Sequence, residues 1–495
     1  MKELTDQEIV RREKRKDFES RGIDPYGQAF TVTTNSKELN DKYSNMDKEE
    51  LETIEETFIV AGRIMTKRIK GKAGFMNLQD KYGQIQIYVK IDNIGEDMYY
   101  IFDKNDLGDI VGIKGTIMRT HTGELTIKAL EYTHLSKSLR PLPEKYHGLN
   151  DIEERFRRRY VDLIMNEEAR KIAFMRPKII RSIQTYLDSK GYVEVETPVL
   201  GTILGGASAR PFTTHHNSLN INMYLRIATE LNLKRLIVGG MDAVYEIGRL
   251  FRNEGMDKTH NPEFTTIEVY KAYSDLTGMM TLTEEIIRNA FNSSINTTKI
   301  KVANHNLDFA LPFKKVTYTD LIKEKTGVDF SKNYTLEEAK ELALSHGIKI
   351  EPHFGYGHIL EAFFDAFCEE TIIEPTFVYN YPIEISPLAK KNKEDARFTE
   401  RFELFILKHE YANAFSELND PLDQKERFLS QLKEKNLGNE EASDMDEDYI
   451  EALEYGMPPT GGLGIGIDRL IMLITGTSTI REVILFPTMK EKTTN

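Results

Sequence analysis

Short strand-like runs that begin at Thr57 constrain the fold of this chain more than any other feature. They follow a polar, highly charged segment and occupy residues 58–64, 74–78, 84–89, 110–118 and 124–132. In the third run, polar and apolar side chains alternate from Gln84 to Ile87, the period of two expected of a half-buried strand. A longer, less strand-like segment, residues 96–107, separates the third run from the fourth. Five strands with a helical interruption after the third predict an OB-fold barrel, which often binds single-stranded nucleic acid.

Prolines after these runs indicate a boundary between two folded regions. The chain has 495 residues, well above the ~150 residues of an ordinary domain. Residues 140–143 read Arg-Pro-Leu-Pro, which suits a stiff connection between domains. Helical and strand patterns then alternate to the C-terminus. We therefore predict a helical arm over residues 1–56, an OB-fold domain over 57–140, a linker over 141–150 and a larger domain over 151–495.

Composition and hydropathy exclude several classes of protein. Cys368 is the only cysteine, so neither an intrachain disulfide nor a paired-cysteine zinc site can form. Residues 1–20 lack the apolar core of a secretion signal, and no apolar run reaches the ~18 residues that span a membrane. We therefore expect a cytoplasmic protein with no membrane partner.

Charge favours a local nucleic-acid contact over a general one. The net charge of −13 argues against a surface covered with nucleic acid. One segment is nevertheless basic, because between residues 61 and 90 Asp80 is the single acid. The bases there are Arg63, Lys67, Arg68, Lys70, Lys72, Lys81 and Lys90. This segment predicts a phosphate-binding face within the barrel.

Three familiar catalytic motifs are absent from the sequence. Gly71 and Lys72 are followed by Ala73, whereas a phosphate-binding loop of the Walker type needs Ser or Thr there. His409 and Glu410 lead to Asn413, where a zinc peptidase would need a second His. The glycines at 462, 464 and 466 do not fit a dinucleotide fingerprint. Nicotinamide chemistry and zinc peptidase activity are therefore not expected.

Two arginines remain as candidates for chemistry on phosphate groups. Arg252 lies in Phe-Arg-Asn-Glu-Gly, and Arg469 ends Gly-Ile-Gly-Ile-Asp-Arg. A guanidinium is always charged and presents a planar fork of donors, which suits the charge that develops during phosphoryl transfer. Glycines at 464 and 466 let the backbone approach a bulky ligand. Either arginine could instead form a structural ion pair, and Asp468 is expected to orient Arg469.

Three glutamates, Glu403, Glu410 and Glu417, recur at intervals of seven residues. This spacing also fits one exposed stripe of a helix. Apolar residues around Glu403, however, indicate a central strand, and a carboxylate buried there needs a metal or a cationic partner. Mg²⁺ held by one or two carboxylates and by substrate phosphates meets that need.

Together these segments resemble the class II aminoacyl-tRNA synthetases, and within that class the lysyl-tRNA synthetase family, over nearly the whole chain. Residues 193–198 match motif 1, residues 245–268 match motif 2, and residues 461–469 match motif 3. The resemblance implies an α+β protein in which an N-terminal OB-fold β-barrel precedes a class II synthetase catalytic domain. It implies a mostly antiparallel sheet of six or seven strands flanked by helices, and a homodimer built through motif 1.

The resemblance also implies a reaction, namely ATP-dependent activation of L-lysine to lysyl-adenylate and transfer to tRNA(Lys). Arg252 would bridge the α-phosphate and the attacking carboxylate, and Arg469 would hold the γ-phosphate. Phe264 would stack beneath adenine and Glu254 would read its amino group, with His260 and Asn261 assisting. Glu403 and Glu410 would hold Mg²⁺, with the number of ions left open, and Glu403 would also belong to the ATP site.

Amino-acid choice and tRNA contacts follow from the same resemblance. A buried ammonium group needs carboxylate partners, because leaving it unpaired costs several kcal/mol. The implied lysine site consists of Gly206, Glu230, Glu268, Tyr270, Asn413, Phe415 and Glu417. For the anticodon, Phe75 would stack on a base while Gln86 and Glu124 read bases. Phe75 could instead belong to the barrel core.

Two positions depart from the family pattern, and two other functions stay open. Thr259 stands where many members carry Arg, and Ala414 replaces a common Gly. A related ligase that attaches lysine to a protein would lack the anticodon module, which this chain keeps. A catalytically inactive tRNA-binding protein of the same fold would give no lysine-dependent exchange of pyrophosphate into ATP.

Overall fold

The computed structural model of the chain describes residues 3–143, 151–203, 205–207, 209–302, 304–436 and 445–491. It divides into two compact units, Met1–Asn150 and Asp151–Asn495. Residues 144–150 of the predicted linker lie outside the described residues.

The first unit contains a closed five-stranded barrel in the order β1-β2-β3-β5-β4. Pairing is antiparallel except between β3 and β5, which run parallel. Its elements are α1 (Asp6–Ser20), α2 (Ser36–Tyr43), α3 (Lys48–Glu52), β1 (Phe58–Lys70), β2 (Ala73–Gln79), β3 (Gln84–Lys90), α4 (Ile91–Ile94), α5 (Glu96–Lys104), β4 (Ile110–Arg119) and β5 (Leu125–Ser136). Ile85, Ile87 and Val89 of β3 are buried while the residues between them are not, as the period of two predicted. The predicted OB-fold barrel is confirmed.

The helices before the barrel pack within the same unit. Thr5 caps α1 in a reciprocal capping box with Glu8, which explains where this charged helix begins. Leu39 and Leu51 join the hydrophobic core of the barrel. Arg11 is buried and donates hydrogen bonds to the carbonyl oxygens of Ser138 and Leu107. One side of the charged segment is therefore packed rather than solvated.

The second unit is built around an eight-stranded sheet in the order β14-β15-β16-β17-β18-β11-β10-β6. Its elements are α6 (Ile152–Arg157), α7 (Arg159–Met165), α8 (Glu167–Ser189), β6 (Val193–Glu194), β7 (Leu200–Gly201), β8 (Thr213–His216), β9 (Ile221–Leu225), α9 (Glu230–Val238), β10 (Ala243–Phe251), β11 (Glu263–Ala272), α10 (Leu276–Ile295), β12 (Lys299–Val302), β13 (His305–Asp308), β14 (Lys314–Thr317), α11 (Tyr318–Thr326), α12 (Leu336–Ser345), α13 (Tyr356–Phe367), a 3₁₀ turn (Glu369–Thr371), β15 (Thr376–Tyr379), β16 (Arg401–Ile406), β17 (His409–Ser416), α14 (Pro421–Asn436), α15 (Glu447–Glu454), β18 (Thr460–Gly466), α16 (Ile467–Thr475) and α17 (Ile480–Val483). Two small sheets, β7-β9-β8 and β12-β13, accompany it.

The large sheet is antiparallel from β15 to β10, as predicted, and its two edge strands pair in parallel. The prediction of six or seven strands is wrong, because the two-residue β6 and the four-residue β14 add short strands at the edges. Such short edge pairings leave almost no periodic signal in a sequence.

Helices α8, α10 and α16 cover one face of the large sheet and form its main hydrophobic core. Ile267 and Val269 of β11 point into this core, as do Leu463 and Ile465 of β18. Because successive strand residues face opposite ways, the residues between them project from the other face. No helix in the described part of the chain is both long and apolar enough to span a membrane.

Candidate active site

A cavity of about 520 Å³ lies on the face of the large sheet that points away from the main core. It brings together nearly all residues that were predicted to act in catalysis or to bind the nucleotide, the metal ion or lysine. Those that line it are Gly206, Glu230, Arg252, Glu254, His260, Asn261, Phe264, Glu268, Tyr270, Glu403, Glu410, Asn413, Phe415 and Arg469. Glu417 lies just behind the wall, because a Cβ built on the lining residue Gly462 would stand 1.9 Å from Oε1 of Glu417.

Strand register explains why distant sequence segments meet in this cavity. Glu268 of β11 is paired with Gly464 of β18, Gly464 with Asn413 of β17, and Asn413 with Glu403 of β16. In the next row along the strands, Tyr270, Gly462, Phe415 and Arg401 are paired in the same way. In β18 the glycines therefore face the cavity while Leu463 and Ile465 face the core, so the wall of the cavity is bare backbone at its centre.

Arg252 follows directly after β10, and its guanidinium lies over the ring of Phe264, with Cζ 5.3 Å from the ring centroid. Its Nε is buried and has no hydrogen-bond partner among the described residues. No ion pair joins Arg252 to any side chain that the structure describes, so the alternative of a structural ion pair has no support at this position. A buried donor without a partner is available to an anionic ligand.

Arg469 lies in the first turn of α16 and also lines the cavity. Its Nη1 donates to the carbonyl oxygen of Glu410 at 2.7 Å, and its Nη2 lies 3.2 Å from Nε2 of His260. The expectation that Asp468 orients Arg469 is wrong. Asp468 instead accepts hydrogen bonds from Arg176 at 2.5 Å and from the backbone of Thr265 at 2.6 Å, which ties α16 to α8 and β11.

The loop between β10 and β11 carries the remaining residues predicted to contact the nucleotide. Glu254 is exposed, and Asn261 is buried and donates to the carbonyl oxygen of Glu263 at 2.7 Å. The ring of His260 is held by Asp257, with Nδ1 2.8 Å from the carboxylate. The hydroxyl and backbone of Thr259, the departure from the family pattern, also bind Asp257 and so help to build this turn.

Glu403 of β16 and Glu410 of β17 both line the cavity, and their charges interact although the strand register pairs Glu403 with Asn413 and Glu410 with Phe405. Glu403 accepts hydrogen bonds from Tyr381 at 2.9 Å and from Arg401 at 2.5 Å. Burial and the nearby Glu410 raise the pKa of Glu403, while Arg401 opposes that rise. A divalent cation between the two carboxylates would relieve this repulsion. Among the described residues no group of three His, Cys, Asp or Glu side chains could hold a metal, so phosphate oxygens and water would complete the shell, as suits Mg²⁺.

Three glutamates predicted for lysine close the opposite end of the cavity. Burial, followed by the charge of Glu230, raises the pKa of Glu268 to about 8, and Tyr270 donates to Glu268 at 3.2 Å. Burial also raises the pKa of Glu417 well above its usual value. Neither carboxylate oxygen of Glu417 has a well-formed hydrogen bond within the described part of the chain. This end of the cavity is thus acidic, buried and incompletely satisfied, and a cationic ligand would favour the ionised form of these carboxyl groups.

Gly206 and Ala414 bear on the shape of this end. Gly206 has φ of 88°, a left-handed conformation that favours glycine, and a Cβ there would meet that of Ala228 at 3.1 Å. Ala414, the second departure from the family pattern, points into the main core rather than into the cavity. Its methyl group therefore does not narrow the cavity.

Lys234 is a functional candidate that the sequence prediction missed. Its ammonium group is completely buried and pairs with Glu230 at 2.5 Å and with Glu417. The available signal was the spacing of four residues between Glu230 and Lys234 within a largely apolar helix, because that spacing places both on one helical face. A second missed residue, Arg401, supports the Glu403 carboxylate.

In the first unit, the residues predicted for the anticodon lie on the outside of the barrel. The side chain of Phe75 is 38% exposed and its ring centroid lies 4.9 Å from that of Tyr88, so Phe75 is not part of the barrel core. Gln86 lies two residue pairs along the strands from Phe75 and Tyr88, and it accepts a hydrogen bond from Thr126 at 2.9 Å. Glu124 is exposed just before β5.

The basic face of the barrel is smaller than predicted. Lys67 donates to the carbonyl oxygens of Phe102 at 3.0 Å and Asp103 at 3.1 Å, and burial lowers the pKa of its ammonium group to about 8. Arg63 donates to the carbonyl oxygen of Gly108 at 2.7 Å. These two bases serve the fold, because carbonyl groups at the end of α5 and before β4 need donors. Arg68, Lys70 and Lys72 remain exposed.

Comparisons with known proteins agree with this geometry. Residues 151–490 match the family of tRNA synthetases class II (D, K and N), and residues 58–135 match the OB-fold nucleic acid binding domain. A lysine–tRNA ligase of Streptococcus pneumoniae strain CGSP14 is 61% identical over 491 residues, which cover 99% of each chain. Lysine–tRNA ligases of Streptococcus sanguinis SK36 and Streptococcus pyogenes serotype M49 are 60% identical with the same coverage.

Proposed function

Because the chain belongs to the class II tRNA synthetases, and within them to the lysine–tRNA ligase family, we propose that it activates L-lysine with ATP and transfers the lysyl group to tRNA(Lys). The observation that carries this proposal is the buried acidic end of the cavity. There Glu230 and Glu268 line the space and Glu417 lies directly behind its wall, so a cationic guest would pair with acidic groups that the single buried Lys234 does not fully compensate.

In the first step, the carboxylate of lysine attacks the α-phosphorus of ATP in line and pyrophosphate leaves. No covalent bond to the enzyme forms, so catalysis consists of positioning and of charge stabilisation. Arg252 is suited to the α-phosphate and the attacking carboxylate, because its buried Nε has no partner among the described residues. Arg469 is suited to the terminal phosphate, because one of its terminal nitrogens faces the His260 loop rather than a carboxylate.

The nucleotide base would lie in the loop after β10. Phe264 supports the Arg252 guanidinium and offers a half-buried ring to adenine. Glu254 would accept from the exocyclic amino group, and His260 and Asn261 would contact the nucleotide from the turn that Asp257 holds. Glu403 and Glu410 would hold Mg²⁺, which supplies charge neutralisation to the phosphates when bound.

In the second step, the lysyl group moves to the terminal ribose of tRNA. Phe75 and Glu124, which are exposed, and Gln86, which is partly buried, would recognise the anticodon, with Phe75 as the stacking surface. We keep as predictions the four-region division of the chain and a cytoplasmic location. A homodimer through motif 1 is supported by exposed apolar side chains there, which are Val193, Val199, Leu200 and Ile203.

One experiment tests the proposed reaction. Exchange of labelled pyrophosphate into ATP is measured with each of the twenty amino acids in turn, and lysine alone should support it. Charging of tRNA(Lys) is then measured with the same preparation. Exchange without tRNA charging would favour a ligase that acts on a protein, and absence of exchange with lysine would favour an inactive tRNA-binding protein.

A further inference from the structure

Lys234 places a fixed positive charge in the acidic end of the cavity. It lies on α9, one helical turn after Glu230, and no part of it is exposed. Its ammonium group contacts carboxylates from two different elements, Glu230 of α9 at 2.5 Å and Glu417, which follows β17. The rings of Phe415 and Tyr449 close over it at 5.3 and 5.9 Å. Burial opposes the charge, but the two carboxylates outweigh burial and raise the pKa of Lys234.

Counting the formal charges shows what this cation does for a guest. The acidic end contains three carboxylates, Glu230, Glu268 and Glu417, and one ammonium group, Lys234. Two negative charges are therefore left over. Free lysine brings two ammonium groups, on Cα and on the side chain, while its carboxylate belongs at the Arg252 end. The uncompensated charge of the cavity thus equals that of the ammonium groups it would receive.

We propose that Lys234 is a positioning residue for lysine, an internal cation that holds one oxygen of Glu417 and favours its ionised form, so that a second ammonium group can bind the carboxylate. This inference rests on the proposed lysine activation. Lys234 contacts Oε2 of Glu417, whereas Oε1 lies against Gly462 in the cavity wall. One oxygen of the carboxylate is thereby held by Lys234, and the other, just behind the cavity wall at Gly462, has no hydrogen-bond partner among the described residues.

Two electrostatic effects of Lys234 oppose each other, and the structure decides between them. Direct repulsion between Lys234 and a bound ammonium group would weaken lysine binding. Loss of Lys234, however, would leave Glu417 among Glu230, Glu268, Tyr270 and Tyr449, while Arg252 acts on Glu268 and Arg235 lies over the ring of Tyr449. Burial raises the pKa of Glu417 and Lys234 opposes that rise, so without Lys234 the carboxyl group holds its proton more tightly and the proton competes more strongly with an ammonium group.

The test compares Lys234→Met with Lys234→Arg and with Lys171→Met. Lys171 pairs with Glu167 four residues earlier, as Lys234 does with Glu230, but it is 54% exposed on α8 and serves as the matched control. Lysine-dependent pyrophosphate exchange is measured between about pH 6 and pH 9, with KM determined separately for lysine and for ATP.

For Lys234→Met we expect the lysine KM to rise at least tenfold near neutral pH and to fall by about tenfold per pH unit as pH increases, because a proton competes with lysine at Glu417. The KM for ATP should stay within about twofold, which shows that the fold is intact. Lys234→Arg should restore the shallower pH dependence of the wild type, and Lys171→Met should match the wild type throughout.

Three outcomes separate the inference from the proposed function. If the wild type shows no lysine-dependent exchange, the proposed function fails. If the wild type is active and Lys234→Met keeps the lysine KM and pH dependence of the wild type, or binds lysine more tightly, the inference alone is overturned. If Lys234→Met does not fold, the test rests on Lys234→Arg, which keeps the positive charge. A steep pH dependence of the lysine KM in Lys234→Arg would contradict the proposed role of a fixed positive charge.

Discussion

Replacing Glu417 with Gln should selectively weaken lysine binding. The side chain is 1% exposed, and an amide of the same shape avoids a cavity while removing the negative charge. In the wild type, Oε1 lies behind Gly462 and has no hydrogen-bond partner within the described residues. An ammonium group placed there gains a charge-assisted hydrogen bond, which the amide oxygen replaces only with a weaker one.

The size of the effect follows from the interaction that is lost. A hydrogen bond to a charged group contributes about 1.5–3 kcal/mol, so the affinity for lysine should fall by about 10- to 150-fold. Lys234 keeps Glu230 as a partner in this variant, which limits the loss of folding stability. Glu374→Gln is the matched control, because Glu374 forms an exposed pair with Lys314.

Calorimetric titration with lysine and with ATP measures both affinities directly. We expect the lysine affinity of Glu417→Gln to fall while the ATP affinity stays within about twofold of the wild type, because the proposed nucleotide site uses Arg252 and Arg469, which line the cavity away from Glu417. An unchanged affinity for lysine in a folded Glu417→Gln variant would refute the assignment of this acidic end to lysine.

Three further predictions test the arginine, the barrel and the protonation of Glu268. Arg252→Gln should slow pyrophosphate exchange by about 10²- to 10³-fold and also weaken lysine binding, because Arg252 is proposed to contact the lysine carboxylate, and a smaller loss of exchange in a folded variant would contradict its role at the α-phosphate. Phe75→Ala should weaken tRNA charging by about 1–3 kcal/mol in kcat/KM for tRNA while pyrophosphate exchange is unchanged, and equal loss of both activities would contradict separate sites. Burial raises the pKa of Glu268 to about 8, so the folded chain binds more protons than the unfolded chain. The stability that this group adds is fully present below its ordinary pKa of 4.5 and is lost as pH rises to about 8. Lysine should therefore raise Tm more at about pH 8 than at about pH 6, and an equal rise at both would show that Glu268 does not pair with the ligand.

The parts of the fold that sequence could predict are those with a short period. The alternation of Gln84 to Ile87 gave the correct face of β3, and apolar residues around Glu403 correctly indicated a central strand. The two-residue strand β6 and the four-residue strand β14 were missed, because they are too short to show a period. Local sequence patterns thus predicted the barrel and the central strands of the large sheet but not its edge strands.

Charge pairing was harder to predict because its partners are distant in sequence. Asp468 was expected to serve its neighbour Arg469, yet it binds Arg176, 292 positions away. Lys67 was counted among bases for phosphate, yet its ammonium group caps carbonyl groups near residue 102. A charged residue in a sequence shows that a partner is needed, but only the fold selects that partner.

The acidic end of the cavity shows what the sequence pattern and the fold each contribute. Strand alternation alone places Glu268 and Asn413 on one face of the sheet and leaves bare glycine backbone between them in β18. Gly462, two residues earlier on the same face of β18, must also lack a side chain, because a Cβ there would stand 1.9 Å from the Glu417 carboxylate. What alternation cannot supply is the charge balance, since Lys234 enters from a helix outside the sheet and offsets one of three carboxylates. In the proposed function the glutamates would make the cavity selective for cations, and the buried Lys234 would set how many positive charges the cavity accepts.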